Sequence, residues 1–140
     1  MGNLLTLPPC RSLDLKTARK LLGPDAIIGV TASSEGEALQ AAKDGADYLG
    51  IGTVYATPTK EDTKSIIGTA GVQQILTSLA SAGRDVKTVC IGGIKASNAQ
   101  RVLYQSASAK KKLDGVCIHI DISLLHVSIF RNATTRAPSV

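Results

Sequence analysis

The chain has 140 residues, enough for one domain with a core of its own and too few for two of ordinary size. A hydrophobic share of 44% against 19% charged residues excludes a disordered chain. The net charge of +5 permits anionic partners, but the basic residues are scattered apart from Lys110–Lys112. With one Phe, three Tyr and no Trp there is little for a base to stack on, which argues against a nucleic-acid surface.

Residues 1–12 read as an irregular segment that lacks a basic leader pattern. Asp14 is placed to cap a helix running to Leu22, with Leu15, Ala18, Leu21 and Leu22 on one face and Gly23-Pro24 as its stop. Ala26–Thr31 (AIIGVT) is almost wholly apolar, as expected of a strand covered on both faces. Ser34 and Glu37 have capping-box spacing for a second helix that Gly45 ends.

Tyr48–Gly52 predicts the second strand, which empties into a loop holding Thr53, Thr57, Pro58, Thr59 and Lys60. Its hydroxyls and backbone N–H groups suit phosphate oxygens, Lys60 supplies a charge, and Pro58 limits the backbone freedom to be lost on binding. The same residues are ordinary in a solvated strand-to-helix connection. A helix is expected at about Thr69–Ala82, with Val72, Ile75, Leu76 and Leu79 as its buried stripe and Gly83 as its end. Val86–Ile91 is the third strand, running into Gly92-Gly93; Ser97 or Asn98 caps the next helix, and a fourth strand starts near Leu113. Lys110–Lys112 suits a solvated helix end, where cations meet the negative pole of the macrodipole.

Four strands joined by crossover helices should lie parallel, with right-handed connections. The fold class is therefore α/β. Ligand chemistry in such sheets gathers at the carboxyl ends of the strands, which here carry Thr31, Thr57–Lys60 and Gly92-Gly93. A glycine pair at a strand end lets backbone amides approach an oxyanion, although it also serves as a plain tight turn. Taken together, several strand ends on one rim point to a phosphate ligand.

Other chemistry is not encoded in a recognisable pattern. There is no Walker loop, no G-x-G-x-x-G after a strand and no H-E-x-x-H. His119 and His126 read as incidental, Asp44, Asp47, Glu61 and Asp62 as solvated loop carboxylates. Cys10, Cys90 and Cys117 lack metal-ligand spacing and suit reduced thiols in a cytoplasmic protein. No apolar run is long enough to span a bilayer.

The segments IIGVTASS, GADYLGIGTVYATPTKEDT and VCIGGIKASNAQRVL, followed by DGV, resemble in order and spacing the second half of thiamine-phosphate synthase. The likeness runs from about Leu13 to Val116 and is nearest to the synthase part of fungal bifunctional proteins, whose hydroxyethylthiazole kinase has no counterpart here. The resemblance implies part of a TIM (β/α)8 barrel over residues 13–118, followed by a divergent tail at 119–140. It implies thiamine biosynthesis by a transferase that joins hydroxymethylpyrimidine diphosphate to thiazole phosphate and releases pyrophosphate. Thr57, Pro58 and Thr59 would hold the thiazole phosphate with the Gly93 amide. Lys60 would act catalytically on the departing pyrophosphate, and Thr31 would lie near the diphosphate substrate.

The family's Mg2+ is also implied, but the aspartates that bind it come from earlier strands and have no counterpart upstream of Leu13. At His119 and Ile120, where the family places phosphate contacts, neither residue fits. Both ends look foreign to the family, as in a truncated or alternatively spliced product. A barrel needs about 250 residues, or about 200 when compact, so four strands make half of one. Its open edges and inner face invite self-association or pairing with another half-barrel. Ile118–Phe130 alternates enough to cover one edge as an extra strand. The alternative function is a non-catalytic half-barrel that binds a phosphate ligand or a partner chain. An isomerase fragment is disfavoured by the lack of an acid/base pair.

Overall fold

A computed structural model describes residues 4–7, 14–57, 66–119 and 126–130 of the chain. The strands are β1 (Leu4–Leu7), β2 (Ile27–Ala32), β3 (Tyr48–Ile51), β4 (Lys87–Cys90), β5 (Gly115–His119) and β6 (His126–Phe130). The helices are α1 (Leu15–Leu22), α2 (Glu35–Asp44), α3 (Gly68–Ser81) and α4 (Ala96–Gln105). All strands share one sheet in sequence order; β1 to β5 run parallel, and β6 returns antiparallel to β5. The sheet does not close, because β1 and β6 are its two edges.

The four expected strands are present and parallel. A strand over Leu4–Leu7, within the stretch read as irregular, pairs with β2 beginning at Leu4↔Ile27. Its three leucines around one threonine are too short a run to announce a strand without the partner beside it. Along the C-terminal stretch, His126–Phe130 supplies the extra edge strand, in register with Gly115–His119.

Each crossover helix forms for a local reason. The Asp14 carboxylate accepts the N–H groups of Lys16 at 2.9 Å and Thr17 at 3.1 Å, capping α1, and Gly23 ends it with φ 89°. Ser34 Oγ accepts the Glu37 N–H at 3.3 Å, while the Glu37 carboxylate reaches the Ser33 N–H at 2.7 Å, one residue beyond the expected capping box. Successive helices pack on one another, α1 on α2, α2 on α3 and α3 on α4.

The main core lies between this helical layer and the sheet. Val72, Ile75, Leu76 and Leu79 of α3 recur at i, i+3, i+4 and i+7 and are all buried, against Leu49 and Ile51 of β3, Cys90 of β4 and Val116 and Ile118 of β5. α1 forms a smaller cluster in which Leu15 and Ala18 meet Ile28. That cluster ends before the last turn, so Leu21 is 72% exposed and Leu22 is exposed with it, against the expectation of a four-residue apolar face. Lys110–Lys112 is not a helix end either. α4 stops at Gln105, Ser108 Oγ accepts the N–H groups of Lys110 and Lys111, and Lys111 reaches Asp85 at 3.8 Å.

Two aspartates clasp neighbouring strands at their starting ends. Asp47, just before β3, accepts the Ile28 N–H at 2.7 Å and donates its own N–H to the Ile28 carbonyl at 2.9 Å. Asp114, just before β5, does the same with Thr88, at 2.8 Å and 2.9 Å. Asp47 also meets Arg19 of α1 at 2.6 Å, so it is a strap and not the solvated carboxylate expected from sequence. Burial alone would raise its carboxyl, but the Ile28 N–H and the Arg19 guanidinium outweigh this and hold it below the usual value of 3.8.

Two outcomes follow from the packing and the clasp. Leu76→Ala should lower stability by about 3 kcal/mol, read as a fall in the urea midpoint, because it empties a fully buried site. The Asp47 side chain is 41% exposed, so Asp47→Asn should cost only about 1 kcal/mol at neutral pH. A folded-state value below the unfolded one stabilises above the unfolded value and is lost as pH falls through the folded one. Urea midpoints of parent and Asp47→Asn should therefore differ at pH 6 and converge as the pH drops below about 4; a constant gap would exclude this role for Asp47.

Candidate functional site

Because β2, β3 and β4 are parallel, their carboxyl ends open on one rim. Beyond the strands the pairing continues through the loops. The Gly52 N–H donates to the Ala32 carbonyl at 3.2 Å, the Ile91 N–H to Ile51 at 2.9 Å, the Val54 N–H to Ile91 at 3.0 Å and the Tyr55 N–H to Gly92 at 3.1 Å. On the other side the entry to α3 hangs from the same segment, Ile67 N–H on the Thr53 carbonyl at 2.9 Å and Gly68 N–H on Val54 at 3.1 Å. Thr53–Tyr55 is thus held between α3 and the turn after β4, with Val54 fully buried.

That turn requires its glycines. Gly92 has φ 103°, and a Cβ there would lie 2.4 Å from Thr53 Cγ2. Gly93 has φ 63°, and a Cβ would lie 2.7 Å from Tyr55 Cβ and 2.9 Å from the carbonyl oxygens of both Tyr55 and Ala56. Such separations are below van der Waals contact, so only backbone fits. Gly93 therefore lies against the residue that immediately precedes Thr57.

Of the residues expected to form a phosphate site, the structure brings Gly93 beside the stem of the loop that begins at Thr57. Thr57 is half-buried. Thr31, also half-buried, lies in β2 opposite Gly50 of β3, with its Oγ1 3.8 Å from where a Gly50 Cβ would stand. Pro58, Thr59 and Lys60 lie outside the described residues.

The surroundings differ in electrostatic character along the rim. α4 begins directly after the glycine turn with no acidic residue in its first turn, so its positive pole is not neutralised locally. α2 begins with Glu35 and Glu37. A groove of about 520 Å³ runs between that acidic start and α3, with Glu35 on one wall and Gln74 on the other. Glu35 accepts a hydrogen bond from Ser78, and the groove is suited to an anion less well than the α4 side.

Ser97 or Asn98 is the expected cap of α4; both lie inside the helix, and Asn98 reaches back from its first turn. Lys95 is the N-cap, a residue whose side chain has no acceptor; Asn98 Oδ1 takes the Lys95 N–H at 2.8 Å from inside the helix. Its Nδ2 donates to the Gly93 carbonyl at 3.2 Å. The signal available in sequence was the Gly-Gly followed five residues later by an amide side chain. Cys90 is fully buried, and burial pushes its thiol up to about 12, away from the thiolate a nucleophile needs.

Comparison with known proteins gives a consistent answer. A family model described as thiamine monophosphate synthase matches residues 9–122. A probable thiamine biosynthetic bifunctional enzyme of Schizosaccharomyces pombe is 40% identical over 124 residues, which cover 89% of this chain and 23% of that protein. A thiamine-phosphate synthase of Clostridium botulinum is 38% identical over 114 residues, 81% of this chain and 53% of its own length. Among solved structures, a thiamine phosphate pyrophosphorylase from Pyrococcus furiosus superposes with a TM-score of 0.61 at 33% identity, covering 82% of this chain and 47% of the other. The chain thus spans about half the length of the synthase and the pyrophosphorylase it matches. With that match running across most of the described sheet and helices, the chain belongs to the thiamine monophosphate synthase family.

Proposed function

We propose that this chain carries the thiazole-phosphate-binding side of a thiamine-phosphate synthase site, in the biosynthesis of thiamine, and is catalytically incomplete by itself. The observation that carries the reading is the close approach of Gly93 to Tyr55 and Ala56, which leaves no room for a Cβ. It brings the glycine backbone up to the residue that precedes Thr57, beside a helix start without acidic residues.

The chemistry assigned to the whole enzyme is substitution at the pyrimidine methylene. The C–O bond to the diphosphate breaks, its electron pair leaves with pyrophosphate, and the thiazole nitrogen lone pair forms the new C–N bond. Little covalent work falls to the protein; it holds the nucleophile in line and stabilises the leaving charge. In this reading Thr57, Pro58, Thr59 and the Gly93 N–H grip the thiazole phosphate. Lys60 stabilises the departing pyrophosphate, and Thr31 offers its hydroxyl on the diphosphate side.

Mg2+ accompanies this chemistry by family resemblance. Among the described residues no three His, Cys, Asp or Glu side chains are grouped to hold a metal ion, so no step above is routed through one. Nor is any helix among them long and apolar enough to cross a membrane. A cytoplasmic setting fits the buried thiol of Cys90. The open sheet favours a second element in the reading: its edges suit self-association or pairing with another half-barrel, and only a different half-barrel would supply the strands that surround the pyrimidine.

The test is thiazole-phosphate binding by calorimetry, beside pyrophosphate release from the two substrates with Mg2+. The chain should bind thiazole phosphate and release no pyrophosphate above background; turnover by the isolated chain would refute its incompleteness. Lys60→Ala and Thr59→Val should each weaken phosphate-ligand binding by about tenfold or more while keeping the parent's urea midpoint. Unchanged affinity in both variants would remove the loop from the site.

A further inference from the structure

Both peptide units that flank Gly93 are held by their carbonyls. The Gly92 carbonyl accepts the Tyr55 N–H at 3.1 Å, and the Gly93 carbonyl accepts Asn98 Nδ2 at 3.2 Å. In a trans peptide the N–H points opposite to the carbonyl. Fixing the Gly92 oxygen therefore aims the Gly93 N–H away from Tyr55, and fixing the Gly93 oxygen aims the Ile94 N–H away from Asn98. Glycine at φ 63° has no Cβ to restrict its other dihedral, so the second restraint has to come from outside the residue.

From this we infer that Asn98 is a positioning residue of the phosphate site. Its amide nitrogen locks the Gly93 carbonyl so that two successive backbone N–H groups, of Gly93 and Ile94, are presented together to one phosphoryl group. Its amide oxygen meanwhile caps the Lys95 N–H, tying that geometry to the first turn of α4. The bond to the Gly93 carbonyl is partly buried, which shelters it from exchange with water, while the bond from the Lys95 N–H is exposed. Asparagine offers a donor and an acceptor without bringing a charge, glutamine does so only at a longer reach, and aspartate keeps the acceptor and loses the donor. The inference rests on the reading of the rim as a phosphate site, and it adds which side chain sets the amides' direction.

The experiment titrates the uniformly 15N-labelled chain with thiazole phosphate, following the Gly93 and Ile94 amide resonances and the dissociation constant. It is run on the parent, Asn98→Asp and Asn98→Ser, with urea midpoints measured alongside. Both variants retain an oxygen for the Lys95 N–H and lack the amide donor; serine adds no charge, so agreement between them excludes simple repulsion. The expected result is cooperative folding in both, a dissociation constant raised by about tenfold, and loss of the ligand-induced shifts at Gly93 and Ile94. Parent-like affinity and shifts in the two variants would overturn the role of Asn98 and leave the phosphate site standing. Failure of both variants to fold would make Asn98 a structural brace and overturn it too. A parent chain with no saturable binding would overturn the phosphate reading and this inference with it.

Discussion

The rim depends on one steric constraint, which is that the turn after β4 approaches the strand-like segment after β3 too closely to carry a Cβ of its own. With Gly92 Cβ-to-be 2.4 Å from Thr53 Cγ2, and Gly93 equally confined by Tyr55 and Ala56, no side chain can separate the two loops. The hydrogen bonds from Val54 and Tyr55 then extend the sheet's pairing past the ends of its strands. A loop anchored in this way has less entropy to lose when it closes on a ligand, which is how rigidity at the stem becomes affinity at the tip. The same anchoring hands the start of α3 its position through Thr53 and Val54, so core packing and rim geometry are set by one segment.

At the opposite end of the sheet the aspartate clasps perform a different task. Asp47 ties β2 to β3 and Asp114 ties β4 to β5, each by the same pair of bonds to the second residue of the preceding strand. Parallel strands have no tight hairpin to fix their stagger, and a slip by one residue would exchange the faces of Leu49 and Gly50. A carboxylate that accepts one N–H while its own N–H donates to the same residue's carbonyl sets that stagger at the point where each strand enters. These clasps stand at the entering ends, opposite the leaving ends where the proposed site lies, the usual division in parallel barrels.

How much of this was written legibly in the sequence varies with the range of the interaction. The stripe Val72, Ile75, Leu76, Leu79 and the caps at Asp14 and Gly45 are set within a few residues, and they stand where periodicity places them. β1 was missed because Leu4–Leu7 becomes a strand only through its pairing with Ile27–Val30, a partner some twenty residues away. Leu21 and Leu22 continue the helical pattern of α1, yet the sheet offers them nothing to pack on, since periodicity reports a face and not the extent of what covers it. Asp47 looked like any loop carboxylate, because its partners Ile28 and Arg19 come from two other elements. Gly92-Gly93 could be named from sequence as a turn or an amide site; the closeness of Tyr55 and Ala56, which gives the pair its significance, is a tertiary fact.

The proposed phosphate rim draws on two neighbouring strands and not on the whole sheet. β3 and β4 are neighbours, and every bond that joins their following loops runs between residues 51–56 and 91–93 or into the helices that start there. None of these bonds needs the sheet to come full circle. A substitution reaction needs more: its second substrate must be surrounded, and its leaving charge screened from water, by walls on the far side of the open inner face. In the proposed reading, a grip on one phosphate calls on local geometry between adjacent strands, whereas turnover calls on walls beyond them.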